Sequence, residues 1–353
     1  MKKKQSINLL DVTLREGSYL VDFKIQPSDV THIVDFLDHA NVSHIEVGHG
    51  SGLGGTKMGY PSLASDVEYI EAAREGAKKA KLGVLVPTNS CSIPELDEIR
   101  SLVDFVRIGV NAHEVANAFP FIERAKKHGL FTFVQLMRSP LLPSFRLGVA
   151  ARKVEKAGAD VIYIVDTMGS LTPKTVKEYV KAVKGNVGVP VGFHAHNNLT
   201  LAVANSLEAV RSGCKWVDAS LLGVGRQAGN AQLEVLALLL QKEGFHTPVD
   251  IPLLLDTAES LIAPMIKNYK GIDPFDLWAA SCNLDLYPRW HFQQLALAVG
   301  LDTKSFIKEL SSLKTFAGLD EENLLLLSKR FKVPYDRLLK AIQTPLNLVK
   351  SND

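Results

Sequence analysis

The sequence predicts an α/β protein, a (β/α)8 TIM barrel with a C-terminal helical extension. Three observations carry that prediction. Over about 240 residues from the N-terminus, short β-branched runs alternate with longer amphipathic segments. Eight such runs occur before the pattern changes, the number that closes this kind of barrel. Polar residues gather where the runs end, the face on which this fold carries active sites. A doubly wound open sheet is the competing architecture.

In chain order the strand candidates are INLLDV (7–12), HIEVG (44–48), LGVLV (82–86), FVRIGV (105–110), FTFVQLM (131–137), VIYIVD (161–166), VPVGFHAH (189–196) and WVDASLLG (216–223). Helical spacing of apolar residues marks SDVTHIVDFLDHA (28–40), PFIERAKKHG (120–129), SFRLGVAARKVEKAG (144–158), TPKTVKEYVKAVKG (172–185) and LTLAVANSLEAVRSG (199–213). Gly129, Gly158, Gly185 and Gly213 stand where a left-handed residue commonly stops a helix. At or just past strand ends fall Arg15-Glu16, His49, Asn89, Arg107, Asn111, Gln135, Arg138, Asp166-Thr167, His194-His196-Asn197 and Ser220. Together they outline a polar mouth, although Asp166 and Asn197 taken singly serve equally well as helix caps or loop hydrogen bonds.

From about residue 245 helix follows helix, punctuated by Pro248, Pro252, Pro264, Pro274, Pro288 and Pro334. Residues 1–290 are therefore expected to form the barrel with its closing helices, and 291–353 a helical extension for communication or oligomerisation. FKVPYDRLLKAIQ has too little apolar face to stand alone, so the extension should pack on the barrel or on another subunit.

A chain of 353 residues, 46% hydrophobic with a formal charge of +2, can bury a large core and offers no field for nucleic acid or a membrane surface. Cys91, Cys214 and Cys282 are scattered and odd in number, which fits a reducing, cytoplasmic setting. No signal-peptide core and no uncharged run of membrane-spanning length is present. Small-molecule chemistry is the remaining class.

Its candidate centre is VGFHAHNNLT (191–200). Alternate strand residues share a side, so His194 and His196 can grip one metal ion. A third ligand is available in LLDVTLREGSY (9–19), where an apolar run meets Arg15-Glu16. Two imidazoles and a carboxylate suit Mn2+, Mg2+, Zn2+ or Fe2+ and leave positions open for water and substrate.

DVTLREG (11–17), IEVGHGSGLGG (45–55), HAHNNLTLAVANSLEAV (194–210) and VDASLLGVGRQAGNAQLEV (217–235), in that order, resemble the metal-dependent barrels that include homocitrate and isopropylmalate synthases, hydroxymethylglutaryl-CoA lyase and, most of all, 4-hydroxy-2-oxovalerate aldolase. The resemblance implies that Glu16, His194 and His196 hold a divalent metal, Mn2+ or Mg2+, with Zn2+ or Co2+ as alternatives; Glu16 stands where the aldolases usually carry Asp. It implies a 2-oxo acid substrate contacted by Arg15, Ser170, Asn230 and Tyr287. Arg15 and Tyr19 would be catalytic, Arg15 by stabilising the charge of an enolate. The implied activity is cleavage of a 4-hydroxy-2-oxo acid to pyruvate and an aldehyde via a metal-bound enolate. The implied assembly is a homo-oligomer that pairs with an acylating aldehyde dehydrogenase.

The chain departs from that pattern in its proton-handling groups. The aldolases carry an acid/base His where this chain has Tyr19, a poorer base at neutral pH unless its pKa is lowered. Their second expected residue, a Tyr, aligns with Leu284, with Tyr287 and His291 nearby as substitutes. Arg226-Gln227 replaces small residues of the aldolases and Glu-Arg of the synthases; Arg226 reads equally as an exposed loop arginine or as a positive charge near the mouth that would favour a further carboxylate or phosphate on the substrate. A Claisen-type synthase using an acyl-CoA, and a catalytically altered scaffold, are the competing functions.

Overall fold

A computed structural model describes residues 5–266, 271–286, 289–313 and 319–343. All eight strands form where the β-branched runs predicted them: β1 (Asn8–Asp11), β2 (His44–Val47), β3 (Lys81–Pro87), β4 (Phe105–Asn111), β5 (Phe131–Met137), β6 (Val161–Asp166), β7 (Val191–Ala195) and β8 (Trp216–Ala219). They pair in parallel in sequence order, and β1 closes on β8 with Leu9 opposite Val217, which excludes the open sheet. The helices packed outside are α1 (Pro27–His39), α2 (Asp66–Gly76), α3 (Ile93–Ile99), α4 (Phe119–Lys127), α5 (Ser144–Ala157), α6 (Pro173–Lys184), α7 (Ala202–Arg211) and α8 (Leu233–Lys242). Ser65 with Glu68 and Ser92 with Glu95 form capping boxes that start α2 and α3. Gly129, Gly158 and Gly213 are left-handed as expected, but Gly185 has φ −70° and stays right-handed.

Strand periodicity explains what fills the barrel. On five of the strands one step of two residues leads from an aromatic or small residue to a polar one: His44 to Glu46, Phe105 to Arg107, Phe133 to Gln135, Gly192 to His194, Trp216 to Asp218. The first set packs ring on ring, Phe105 on Phe133 with centroids 5.3 Å apart, Phe133 on Trp216 at 4.9 Å and His44 on Trp216 at 4.7 Å. A Cβ at Gly192 would lie 2.4 Å from the Tyr163 ring and one at Gly83 2.2 Å from Phe105, so both glycines make room for the plug. The second set forms a buried polar layer above it. Arg107 and Gln135 belong to that layer, inside β4 and β5 rather than at strand ends as the sequence reading had them.

Packing divides the chain into Met1–Ile272 and Asp273–Asp353. The first unit includes α9 (Ile251–Thr257) and the π-helical turn Ala258–Ile262 that follows it. The second comprises α10 (Pro274–Cys282), α11 (Arg289–Val299), α12 (Thr303–Ser311), α13 (Glu321–Phe331) and α14 (Tyr335–Gln343). The sequence reading drew the boundary at 290/291; here Phe275 and Ala279 of α10 share one apolar core with Phe292, Phe306, Leu327 and Leu338. The α14 segment thus finds cover for its narrow apolar face within its own unit. Among the described residues no helix is long and apolar enough to cross a membrane.

Candidate metal centre

β1 gives way to a short helical turn, Thr13–Gly17, that carries Arg15 and Glu16. The Asp11 carboxylate accepts the Thr13 amide (3.0 Å) and hydroxyl (2.6 Å), while Thr13 Oγ1 accepts the Leu221 amide at 2.8 Å. This ties the turn to the loop after β8. His194 lies in β7 and His196 just beyond it, and their Nε2 atoms face each other at 3.4 Å. Glu16 Oε1 is 3.8 Å from His194 Nε2 and 3.9 Å from His196 Nε2. Donors about 2.0–2.2 Å from one ion stand roughly 3–4 Å apart, so these three buried residues fit one divalent metal.

Hydrogen bonding fixes the polarity of that triangle. His196 Nδ1 is 2.7 Å from the Thr167 carbonyl oxygen, which can only accept, so Nδ1 holds the proton. His194 Nδ1 donates to Asp218 Oδ2 at 2.8 Å. Burial pushes the His194 pKa down and keeps the ring neutral. Burial alone would raise the Asp218 carboxyl, but the charge of Arg107 and the His194 bond outweigh it and hold it below the usual range. Both Nε2 atoms therefore present lone pairs toward each other and toward Glu16, an arrangement that calls for a cation between them. Glu16 stays ionised, because Arg15 and then His196 outweigh its burial. Asn230, bridged to His196, donates Nδ2 to the Val224 carbonyl (2.9 Å) and leaves Oδ1 buried without a hydrogen-bond partner. Gly225 allows this closeness: a Cβ there would lie 2.3 Å from Asn230 Nδ2 and 3.3 Å from Glu16 Oε2.

Arg15 is buried between two carboxylates, its Nε on Glu46 Oε2 at 2.9 Å and its Nη1 on Glu16 Oε1. Its Nη2 makes no hydrogen bond among the described residues. Glu46 Oε2 also accepts from Arg107 Nη1 at 2.9 Å, and Arg107 Nη2 reaches Asp218. Arg107 also lies over the Tyr163 ring, 4.8 Å from its centroid, with the Gln135 carboxamide against it. A continuous ion-pair network thus links Arg15 to His194 through Glu46, Arg107 and Asp218. Sequence reasoning did not single out Glu46 or Asp218; the signal was a lone carboxylate at a strand position whose neighbours two residues back are ring-bearing.

The other expected residues are placed as follows. Tyr19 is half-buried, donates its hydroxyl to the Gly50 carbonyl (2.9 Å) and packs edge-on against Phe23. Burial raises its pKa, the opposite of what a base would need. His49 stacks on Phe23 at 4.3 Å; Nδ1 accepts the Ser51 amide and Nε2 donates to the Tyr60 carbonyl, so both nitrogens are engaged. Ser170 donates its amide to Asp166, whose carboxylate also takes the Leu171 amide, and Asn197 Oδ1 accepts the Ala202 amide. Asp166 and Asn197 are thus loop-ordering residues. Leu284 is buried in the core of the second unit, and Tyr287 lies outside the described residues.

Comparison with known proteins gives the family. The HMGL-like family matches residues 6–261. An oxaloacetate decarboxylase of Mycobacterium tuberculosis is 37% identical over 310 residues, covering 88% of this chain and 92% of its own. A 4-hydroxy-2-oxovalerate aldolase of Brevibacillus brevis is 36% identical over 319 residues, covering 90% of this chain and 94% of its own. The carboxyl transferase domain of Rhizobium etli pyruvate carboxylase superposes with a TM-score of 0.74 at 18% identity, over 94% of this chain and 60% of that one, a likeness of fold alone. With the match spanning the barrel and the relatives named as aldolase and decarboxylase enzymes, this chain belongs to the HMGL-like family.

Proposed function

We propose that this chain is a divalent-metal-dependent carbon–carbon lyase that cleaves a 4-hydroxy-2-oxo acid to pyruvate and an aldehyde. The convergence of Glu16, His194 and His196 beside Arg15 is the observation that supports it. When bound, Mn2+ or Mg2+ would act as a Lewis acid on the carbonyl of the 2-oxo acid. Arg15, locked in place by Glu46 and Glu16 and with Nη2 to spare, stabilises the negative charge that reaches the carbonyl oxygen as the C3–C4 bond breaks. Asn230 Oδ1 orients the ligand or an ordered water from the loop after β8. The second helical unit is the candidate surface for self-association or for docking an acylating aldehyde dehydrogenase, which sedimentation and a pull-down with that enzyme test.

One observation favours a second reading, decarboxylation of oxaloacetate. Aldol cleavage needs a base to take the 4-hydroxyl proton, whereas CO2 leaves without giving one up. Tyr19, kept protonated by burial, and His49, with both nitrogens engaged, are ill suited to that removal. Both reactions leave the enolate of pyruvate, so the first experiment addresses that shared step. Exchange of the pyruvate methyl hydrogens in D2O, followed by proton NMR, should require added Mn2+ or Mg2+ and disappear in Arg15→Ala. Inert pyruvate in the metal-loaded protein would sink both readings. Parallel assays with 4-hydroxy-2-oxovalerate and oxaloacetate then decide between them.

A further inference from the structure

We infer that Glu234 is a positioning residue for the metal centre, clamping the loop after β8 in the conformation that aims the Glu16 carboxylate. The inference rests on reading Glu16, His194 and His196 as the metal ligands and concerns what holds the first of them. Glu16 uses its two oxygens differently. Oε1 stands 3.8 and 3.9 Å from the two histidine Nε2 atoms, whereas Oε2 accepts the Arg226 amide at 3.2 Å. That main-chain amide sets which oxygen is turned to the imidazoles, and its own position depends on the path of residues 220–230.

The path is held against a local preference. Leu222 sits at φ 53° and ψ 12°, and Gln227 at φ 57°, the left-handed region that a leucine seldom adopts because its Cβ crowds the following carbonyl. Such conformations persist only where the surroundings over-determine them. Two partners do so here, on successive amides. Thr13 Oγ1 accepts the Leu221 amide at 2.8 Å, and the two oxygens of Glu234 take the Leu222 amide at 3.1 and 3.3 Å. Glu234 is buried in the first turn of α8, where the helix N-terminus favours a negative charge. Beyond the kink the loop is tied to itself. Ser220 Oγ and Asn230 Nδ2 both donate to the Val224 carbonyl, at 2.6 and 2.9 Å, and the Asn230 amide donates to the Gly223 carbonyl at 2.9 Å. A turn of Leu222 toward the right-handed region would therefore carry Val224, Gly225 and Arg226 with it, and the amide on Glu16 Oε2 would move. Glu234 opposes that turn.

Three variants separate a clamp from ordinary packing. Calorimetric titration of the apo protein with Mn2+ should show Glu234→Ala binding about tenfold or more weakly, the lower end of what losing a ligand's supporting partner costs. Glu234→Gln keeps an oxygen for the Leu222 amide and should stay within about threefold of wild type. Leu222→Gly removes the left-handed penalty, so Glu234→Ala combined with Leu222→Gly should also return to within about threefold. Hydrogen exchange read by mass spectrometry should rise over 221–226 in Glu234→Ala, fall back in the double variant and stay unchanged in β4 and β5. A folded Glu234→Ala protein with wild-type affinity, or a loss that Leu222→Gly does not relieve, would overturn the assignment. If Glu234→Ala folds only with Leu222→Gly beside it, the clamp is supported; if neither folds, it is overturned, since packing and not the kink would then be what Glu234 supplies. A wild-type protein that binds no Mn2+ would overturn the reading of the ligands instead, and the exchange comparison judges Glu234 in that case.

Discussion

Asp218→Asn removes one charge from beneath the metal ligands without changing shape. Asp218 Oδ2 serves both His194 Nδ1, at 2.8 Å, and Arg107 Nη2. An Asn that keeps its oxygen at that point preserves both hydrogen bonds and loses the negative charge that makes His194 a more basic ligand. An Asn turned the other way sets its amide against the His194 Nδ1 proton and favours the wrong tautomer. Either outcome weakens the site, and loss of such a supporting carboxylate costs about 10–100-fold in metal affinity, or roughly 1.4–2.7 kcal/mol. Folding stability falls too, but Arg107 retains Glu46 at 2.9 Å. The cost should therefore be about 2 kcal/mol rather than the roughly 3–5 kcal/mol of a buried charge left wholly unpaired. Mn2+ titration of the apo protein by calorimetry reads the first number and urea denaturation the second, with His194→Ala as the control that should bind no metal. A folded Asp218→Asn protein whose Mn2+ affinity lies within twofold of wild type would refute the claim that the network tunes His194.

Three further outcomes are expected. Gly225→Ala forces a methyl to 2.3 Å from Asn230 Nδ2 and 3.3 Å from Glu16 Oε2; activity should fall at least about a hundredfold with about 1–3 kcal/mol of lost stability, and near-normal kcat/KM would show that the loop yields. Burial pushes the His44 pKa down to about 4, from an unfolded value of 6.5. The unfolded chain therefore takes up the proton first, and stability should drop as pH falls from about 6.5 toward 4; comparing urea midpoints at pH 7 and pH 5 should show a weaker acid dependence in His44→Phe than in the wild type. Tyr19→Phe should slow aldol cleavage by about a hundredfold if the hydroxyl handles the substrate proton, while leaving decarboxylation of oxaloacetate changed by only a few-fold. Equal losses in the two reactions would mean that Tyr19 acts through the Gly50 loop and not through its proton.

The barrel was legible because its strands obey one rule, a short β-branched run ended by polar residues, and eight repetitions of it admit few other architectures. His194 and His196 were legible for the same reason, since a two-residue step on a strand fixes their common side whatever the partner. Glu46 and Asp218 were not. A single carboxylate in an apolar strand reads as a solvent-facing position, and only closure of the sheet turns that side inward. Arg107 misled for a related cause: its charge suggested the mouth, whereas paired carboxylates from β2 and β8 make the interior habitable for it. Gly185 shows the limit of local stop signals, because the chain leaves α6 through a right-handed residue. The unit boundary at 272/273 depends on which core Phe275 joins, a tertiary choice that helical periodicity does not encode.

The charges around the ligands account for the order in which partners should arrive. Arg15 and Arg107 oppose Glu16, Glu46 and Asp218, so the ion-pair network carries one negative charge in excess, with both Nε2 lone pairs aimed at the same point. Such an excess is costly away from water and is a standing attraction for a cation. A divalent ion turns it into one positive charge, and only then does an anionic 2-oxo acid meet a favourable field.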